Sequence, residues 1–194
     1  MNLIIKEEFN NHIKTSQKSM ENLAIDIEIA AKICIKALNN NGKILIFGNG
    51  GSAADSHHIA AELVGRYKTD RKGLAAIALS TDTSAITSIS NDFGYDNVFE
   101  RQIEALANER DVVIGISTGG TSKNVIKAIK RASDIDCSII GFSGKDGGEM
   151  NNICDVNIIV PSHDTPRIQE MHILIGHTLC HLIDKEFTYW VVEF

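Results

Sequence analysis

The sequence predicts a three-layer α/β/α sandwich built on a five-stranded parallel sheet. Five short apolar runs recur along the chain with helical segments between them, the alternation that produces parallel strands joined by crossover helices. Most of these runs are apolar at successive positions, as strands covered by helices on both faces require. The 194 residues are 43% hydrophobic and 23% charged, an ordinary composition for one globular domain spanning residues 1–194.

Residues 1–41 precede the first strand and contain no Gly or Pro. Ile5, Phe9, Ile13 and Ser16 form one helical stripe, and Leu23, Ile27, Ala30, Ala31 and Cys34 form another. This predicts two added N-terminal helices, the second stopped by Asn39-Asn40-Asn41-Gly42. An added amphipathic pair packs on the core or on another subunit. Residues 42–187 form the α/β core. Its strands are Ile44–Phe47, Ala75–Leu79, Val112–Ile116, Ser138–Phe142 and Val156–Val160. The intervening helices are Ala53–Arg66, Ser84–Asn91, Asn97–Ala107 and Ser122–Ala132, followed by a last helix from about Arg167 to Glu186. Crossovers in such a sheet are right-handed. The apolar tail 188–194 receives no element.

Charge and cysteines narrow the function classes. Lys+Arg total 19 against 25 Asp+Glu, for a formal net charge of −6. No overall basic field is available for nucleic acid, so an anionic substrate requires a local device. No apolar stretch approaches the ~20 residues needed to span a bilayer. Glu7 and Glu8 stand where a signal peptide would continue its apolar stretch. The four cysteines form no C-x-x-C pair and read as reduced thiols. A cytoplasmic location is the expectation.

In parallel sheets ligands bind beyond the carboxyl ends of the strands, and two loops there have a phosphate-binding character. The first strand runs into Gly48-Asn49-Gly50-Gly51-Ser52. Its glycines let backbone amides turn toward an anion, and Ser52 can cap the next helix. The third strand runs into Ser117-Thr118-Gly119-Gly120-Thr121-Ser122, four hydroxyls and two glycines at a helix start. A dinucleotide fingerprint is weak here: it wants an acid about 20 residues on, at the end of the second strand, and that acid would be Asp82, some 30 residues away. A nucleotide P-loop fails because Thr121 stands where lysine is needed. Two tight, capped turns that bind nothing remain the bland alternative.

A second cluster involves His and Glu. His58 and Glu62 are four apart, hence on one helix face, with Asp55 close to it. Gln169 and His177 are eight apart, about 80° in azimuth, so both can face one pocket. An H-x-x-x-E pair with a further ligand suits zinc, and it equally suits acid/base catalysis. A plain surface ion pair is the competing reading. His57, His163 and His172 read as structural or solvated.

Taken together, Gly48–Asp55, His58-x-x-x-Glu62-Leu63, Gly65-Arg66, Asn91-Asp92-Phe93-Gly94-Tyr95, Gly115–Thr118 and Arg167-Ile168-Gln169-Glu170-x-His172 resemble the sugar isomerase domain of the phosphoheptose isomerases. The matching blocks run from about Gly42 to Asp184. The resemblance implies a flavodoxin-like sheet, a homotetramer and one Zn2+ per subunit held by His58, Glu62, Gln169 and His177. It implies Glu62 and His177 as the acid/base pair, and phosphate held by Ser117, Thr118 and Ser122. Asn49, Gly50, Gly51, Asn91 and Asp92 would contact the sugar, with Ser52, Glu62, Gly119 and Gln169 also lining the site. The implied activity converts sedoheptulose 7-phosphate to D-glycero-D-manno-heptose 7-phosphate, the first step of bacterial heptose biosynthesis for surface polysaccharide. Gly119 departs from the family, which often carries a third hydroxyl there. A non-catalytic sugar-phosphate sensor, a replication-initiator partner of the same fold, or an isomerase of another sugar phosphate are the rival readings.

Overall fold

The computed structural model describes residues 1–188; the tail from 189 onward, which received no element above, lies outside the described residues. The expected sheet is present. β1 (Ile44–Gly48), β2 (Ala76–Ala78), β3 (Val112–Ile116), β4 (Ser138–Gly144) and β5 (Val156–Val160) pair in parallel in the order β2-β1-β3-β4-β5. The central strands β1 and β3 are buried along their whole length, which is why they read as continuous apolar runs. Alternate residues of each strand serve opposite faces. Ile44, Ile46, Val112, Ile114 and Ile158 pack toward one helical layer, while Leu45, Phe47, Val113 and Ile139 pack toward the other.

The first layer holds α1 (Asn2–Asn39), α2 (Gly51–Val64) and α6 (Thr165–Thr188); the second holds α3 (Thr83–Phe93), α4 (Glu100–Leu106) and α5 (Lys123–Asp134). Most ends fall within two or three residues of expectation. The helix expected over Asn97–Ala107 starts later, because Tyr95–Asn97 form a separate 3-10 turn after Gly94.

The N-terminal segment corrects the sequence reading: it is one helix of 38 residues, not two. Nothing between Leu3 and Asn39 breaks a helix, so the change of apolar stripe is a change of face within one rod. The second half buries Leu23, Ala30, Ala31, Cys34 and Ala37 against its own core. The first half leaves Ile5, Phe9 and Ile13 exposed. It is tied to the start of α6 by Arg167, which donates to the Glu8 carbonyl (2.8 Å) and carboxylate (2.7 Å), and by His12 at 2.8 Å from Glu170.

β1 and β3 are neighbours, and the chain leaves them toward opposite layers. Their carboxyl ends therefore flank the crevice that forms where strand order reverses. Both loops singled out in the sequence open there.

Candidate active site

The two loops are joined side chain to side chain. Asn49 Nδ2 donates to Asn124 Oδ1 at 2.9 Å, and Asn124 Nδ2 donates back to Asn49 Oδ1 at 2.8 Å. The Tyr95 hydroxyl adds a third bond to Asn49 Oδ1 at 2.9 Å. Asn49 is thus largely committed to this staple, with one amide hydrogen left for a ligand. Asn124 was missed at the sequence level. Its signal is a buried polar residue beside Val125 and Ile126 on the inner face of α5, where an amide needs a partner.

In the first loop, Gly50 sits at φ +56°, a left-handed backbone that favours glycine. α2 begins two residues earlier than expected, so Gly50 is the cap position and Ser52 lies buried inside the first turn. Ser52 therefore does not cap the helix, and its own N–H is spent on the Asn49 carbonyl at 3.0 Å. In the second loop the Ser117 and Ser122 hydroxyls meet at 2.9 Å at the head of α5. Two hydroxyls and the amide end of a helix converge there, a favourable setting for an anion.

α2 and α6 pack closely. A side chain on Gly176 would collide with Ile59, and one on Gly51 would collide with the Gln169 amide. These pairs, with His58 opposite His177, show the two helices running in the same direction with a groove between them. His58 Nε2 lies 3.3 Å from Glu62 Oε1 and 3.3 Å from His177 Nε2. One ligand atom from each of His58, Glu62 and His177 falls within 4.8 Å of the others. Ligands bound at 2.0–2.1 Å in a tetrahedron are spaced roughly 3.3–3.4 Å apart. A single His58 N–H cannot satisfy both neighbours at once, whereas one cation between the three can. The donor set of two imidazoles and a carboxylate fits a metal site.

The Gln169 amide lies against Gly51, at the loop end of the groove. Asn91 and Asp92 lie exposed at the end of α3, bonded to each other at 2.8 Å. The other histidines have separate places. His57 pairs with Ser80 Oγ at 2.8 Å, and His181 lies against Tyr67 with ring centroids 6.0 Å apart. His172 is buried and bonds the Ser143 carbonyl at 2.9 Å, and burial pushes its pKa down to about 4, so it is a neutral core residue. Burial likewise raises the Asp55 carboxyl, opposed by the charge of nearby His58.

The loop after α2 completes the groove. The Tyr67 ring stacks on His177 at 5.6 Å and 27°. Arg71 anchors that loop through a fully buried pair, its Nε donating to Asp184 Oδ1 at 2.6 Å. Its other nitrogens donate to the carbonyls of Leu63, Lys72 and Glu62. Asp184 Oδ2 accepts from the Lys68 and Thr69 amides. Burial alone would raise the Asp184 carboxyl. The bonds from the Thr69 amide, Arg71 and the Lys68 amide outweigh it and hold the pKa below the usual value.

A model of the SIS domain matches residues 8–144. The chain is 57% identical over 189 residues to a phosphoheptose isomerase of Aliarcobacter butzleri, covering 97% of this chain and 100% of that protein. The chain belongs to the phosphoheptose isomerase family. It is a sugar-phosphate isomerase, and the solved structures of that family superpose on it. A phosphoheptose isomerase from Neisseria gonorrhoeae matches with a TM-score of 0.90 at 44% identity, covering 95% of this chain and 98% of that one. Another from Francisella tularensis matches with a TM-score of 0.92 at 35% identity, covering 95% and 99%. Phosphoheptose isomerase membership thus extends over the α2–α6 groove, both loops and the long α1.

Proposed function

We propose that this isomerase converts D-sedoheptulose 7-phosphate to D-glycero-D-manno-heptose 7-phosphate, opening bacterial heptose biosynthesis for surface polysaccharide, in the cytoplasm. The observation that carries this reading is the His58/Glu62/His177 cluster in the α2–α6 groove, with the first loop at the head of α2. His58 lies seven residues along α2 from Gly51, about 10 Å at 1.5 Å per residue. An extended chain of eight covalent bonds, C1 of a heptose to its terminal phosphorus, spans roughly 9–10 Å at backbone-like bond geometry. The span from the head of α2 to the cluster is thus the length of a seven-carbon sugar phosphate, and the reading puts the carbonyl at the cluster and the phosphate at Ser117, Thr118 and Ser122.

Holding the phosphate at one end orients the linear sugar and lowers the entropic part of the barrier. Asn49, Gly50 and Gly51 line the near wall, with Ser52 and Gly119 beneath, Gln169 opposite Gly51, and Asn91 and Asp92 reaching the sugar hydroxyls. Glu62 and His177 divide the proton transfers. One takes the proton from C1, giving an enediol(ate), and the other supplies the proton that returns at C2. Tyr67 stacked on His177 fixes the ring for this step. Zn2+ is the fitting ion for His58, Glu62 and His177, with Gln169 as the fourth group of the family set. When bound, it supplies Lewis-acid polarisation of the sugar's carbonyl and hydroxyl oxygens.

Incubation with sedoheptulose 7-phosphate, with and without a chelator, tests both parts. The expected result is an aldoheptose product in the untreated sample and loss of turnover after metal removal. Faster turnover of a pentose 5-phosphate would sink the heptose assignment, and full activity in chelator would sink the metal.

The working unit is a homotetramer. Its support is the apolar surface that one chain leaves open: Leu3, Ile5, Phe9 and Ile13 on α1. An apolar groove of about 700 Å³ between α1 and α6 adds to it, lined by Met20, Leu23, Ile27, Met171, Leu174 and Leu182 among others. Surfaces of this kind mark association sites. Sedimentation equilibrium should give four times the chain mass, and a monomer at micromolar concentration would overturn it.

A further inference from the structure

We propose that Lys145 supplies the cation of the phosphate subsite, set by a left-handed backbone with its ammonium beside Gly119. The proposal rests on the reading of Ser117–Ser122 as the phosphate loop and adds to it a residue outside that loop.

Four observations place the lysine there. First, Lys145 has φ +58°, a conformation that side chains bearing a Cβ rarely adopt and that clusters at functional sites. Second, that backbone is fixed from several directions. Lys145 N–H donates to the Ser162 carbonyl at 2.9 Å, Gly147 N–H donates to the Gly144 carbonyl at 3.0 Å, and Asn151 Nδ2 donates to the Asp146 carbonyl at 2.7 Å. Third, the loop after β4 is interlocked with the phosphate loop. A Cβ on Gly120 would stand 2.0 Å from the Gly147 carbonyl oxygen, and one on Gly148 would stand 2.6 Å from the Gly119 carbonyl oxygen. Two backbones in contact this close move as one piece, so Lys145 holds a defined position relative to Ser117–Ser122.

Fourth, the side chain reaches the loop. The point where a Cβ would project from Gly119 lies 3.9 Å from Lys145 Nζ and 3.6 Å from Thr121 Oγ1. Lys145 is exposed, and among the described residues no carboxylate lies within ion-pair distance of its ammonium. An unpaired ammonium beside Gly119 of the hydroxyl-bearing loop, in a chain of net charge −6, is matched to a dianion. A compact point charge of this kind is a common phosphate binder. It answers the need for a local device in an acidic protein without a basic surface.

The test compares Lys145→Met, Lys145→Arg and Lys145→Gly with the wild type. The readouts are KM and kcat for sedoheptulose 7-phosphate, affinity for inorganic phosphate by titration calorimetry, and Tm. Lys145→Met should weaken phosphate binding and raise KM by about 10- to 100-fold, the range for a charged hydrogen bond, with a smaller change in kcat. Lys145→Arg should restore most of the affinity. Lys145→Gly relieves the left-handed backbone, so it should keep or raise Tm while losing phosphate affinity as Lys145→Met does. That combination is one a purely structural lysine cannot produce. Phosphate affinity and KM unchanged in Lys145→Met, with an active wild type, overturn the lysine alone. A wild type that binds phosphate through Lys145 yet leaves sedoheptulose 7-phosphate untouched supports the lysine and overturns the substrate. A wild type that neither isomerises nor binds phosphate overturns both.

Discussion

Glu62→Gln should reduce turnover of sedoheptulose 7-phosphate by about 10²–10⁴-fold, the usual contribution of a positioned acid or base, while the protein stays folded. The side chain is partly exposed at the groove, 24% accessible. What Glu62 gives the fold is its backbone carbonyl, which accepts from Arg71 at 3.1 Å, and the substitution leaves that bond in place. Tm and the far-ultraviolet dichroism should match the wild type. Metal content measured on the same sample separates the two roles of the carboxylate. A variant that keeps its metal and loses turnover places Glu62 in proton transfer. One that loses both places it first as a ligand, consistent with the weaker basicity of a carboxylate held by a cation. Turnover near the wild-type rate would remove Glu62 from the chemistry altogether.

Asp184→Asn should destabilise the chain by about 3–5 kcal/mol, because it strands the buried Arg71 guanidinium without its counter-charge. For a chain of this size that is a fall in Tm of roughly 6–20 °C. Both side chains are 1% exposed, so water cannot replace the lost partner. The effect should also reach activity, since the same pair fixes the loop that carries Tyr67 against His177 and holds the end of α2 through the Glu62 carbonyl. A sign for pH follows. The Asp184 pKa is depressed in the folded protein, so its contribution is fully present above the unfolded value of about 3.9 and is lost as pH falls through the folded value. Asp184→Asn should therefore flatten the acid limb of the stability curve below about pH 4. Equal acid sensitivity in variant and wild type would show that other carboxylates govern that limb.

Residues of the candidate site differ in how visible they were. His58 and Glu62 declare themselves by helical spacing, because i and i+4 share a face whatever surrounds them. Ser117–Ser122 shows by composition at a strand end. His177 was placed by azimuth and resemblance, and it does meet His58 at 3.3 Å. Gln169 lies on the same helix as His177, and its amide packs against Gly51. Asn124 and Tyr95 act by reaching across to Asn49, and Arg71 and Asp184 meet from opposite ends of the core. None of these pairs has a local signature. The single long α1 was misread for a related reason: a rod that offers one face to its own core and another outward shows two stripes, which resembles two helices.

The amino-acid sequence by itself determined the layered parallel sheet, the two loops at its carboxyl edge, and the absence of a basic surface. The first two follow from local periodicity and glycine placement, which act over a few residues, and the third from a simple charge count. Only the tertiary structure decided the rest. It put the two loops at one crevice by making β1 and β3 neighbours. It closed the His58/Glu62/His177 cluster by laying α6 beside α2, and it set the loop after β4 against the Ser117–Ser122 loop through the close approach of Gly120 to Gly147 and of Gly148 to Gly119. Those arrangements depend on which elements pack together, and packing is settled by burial summed over the whole chain. That is why the −6 charge, true of the molecule, says little about the local setting of Ser117 and Ser122 at the head of α5.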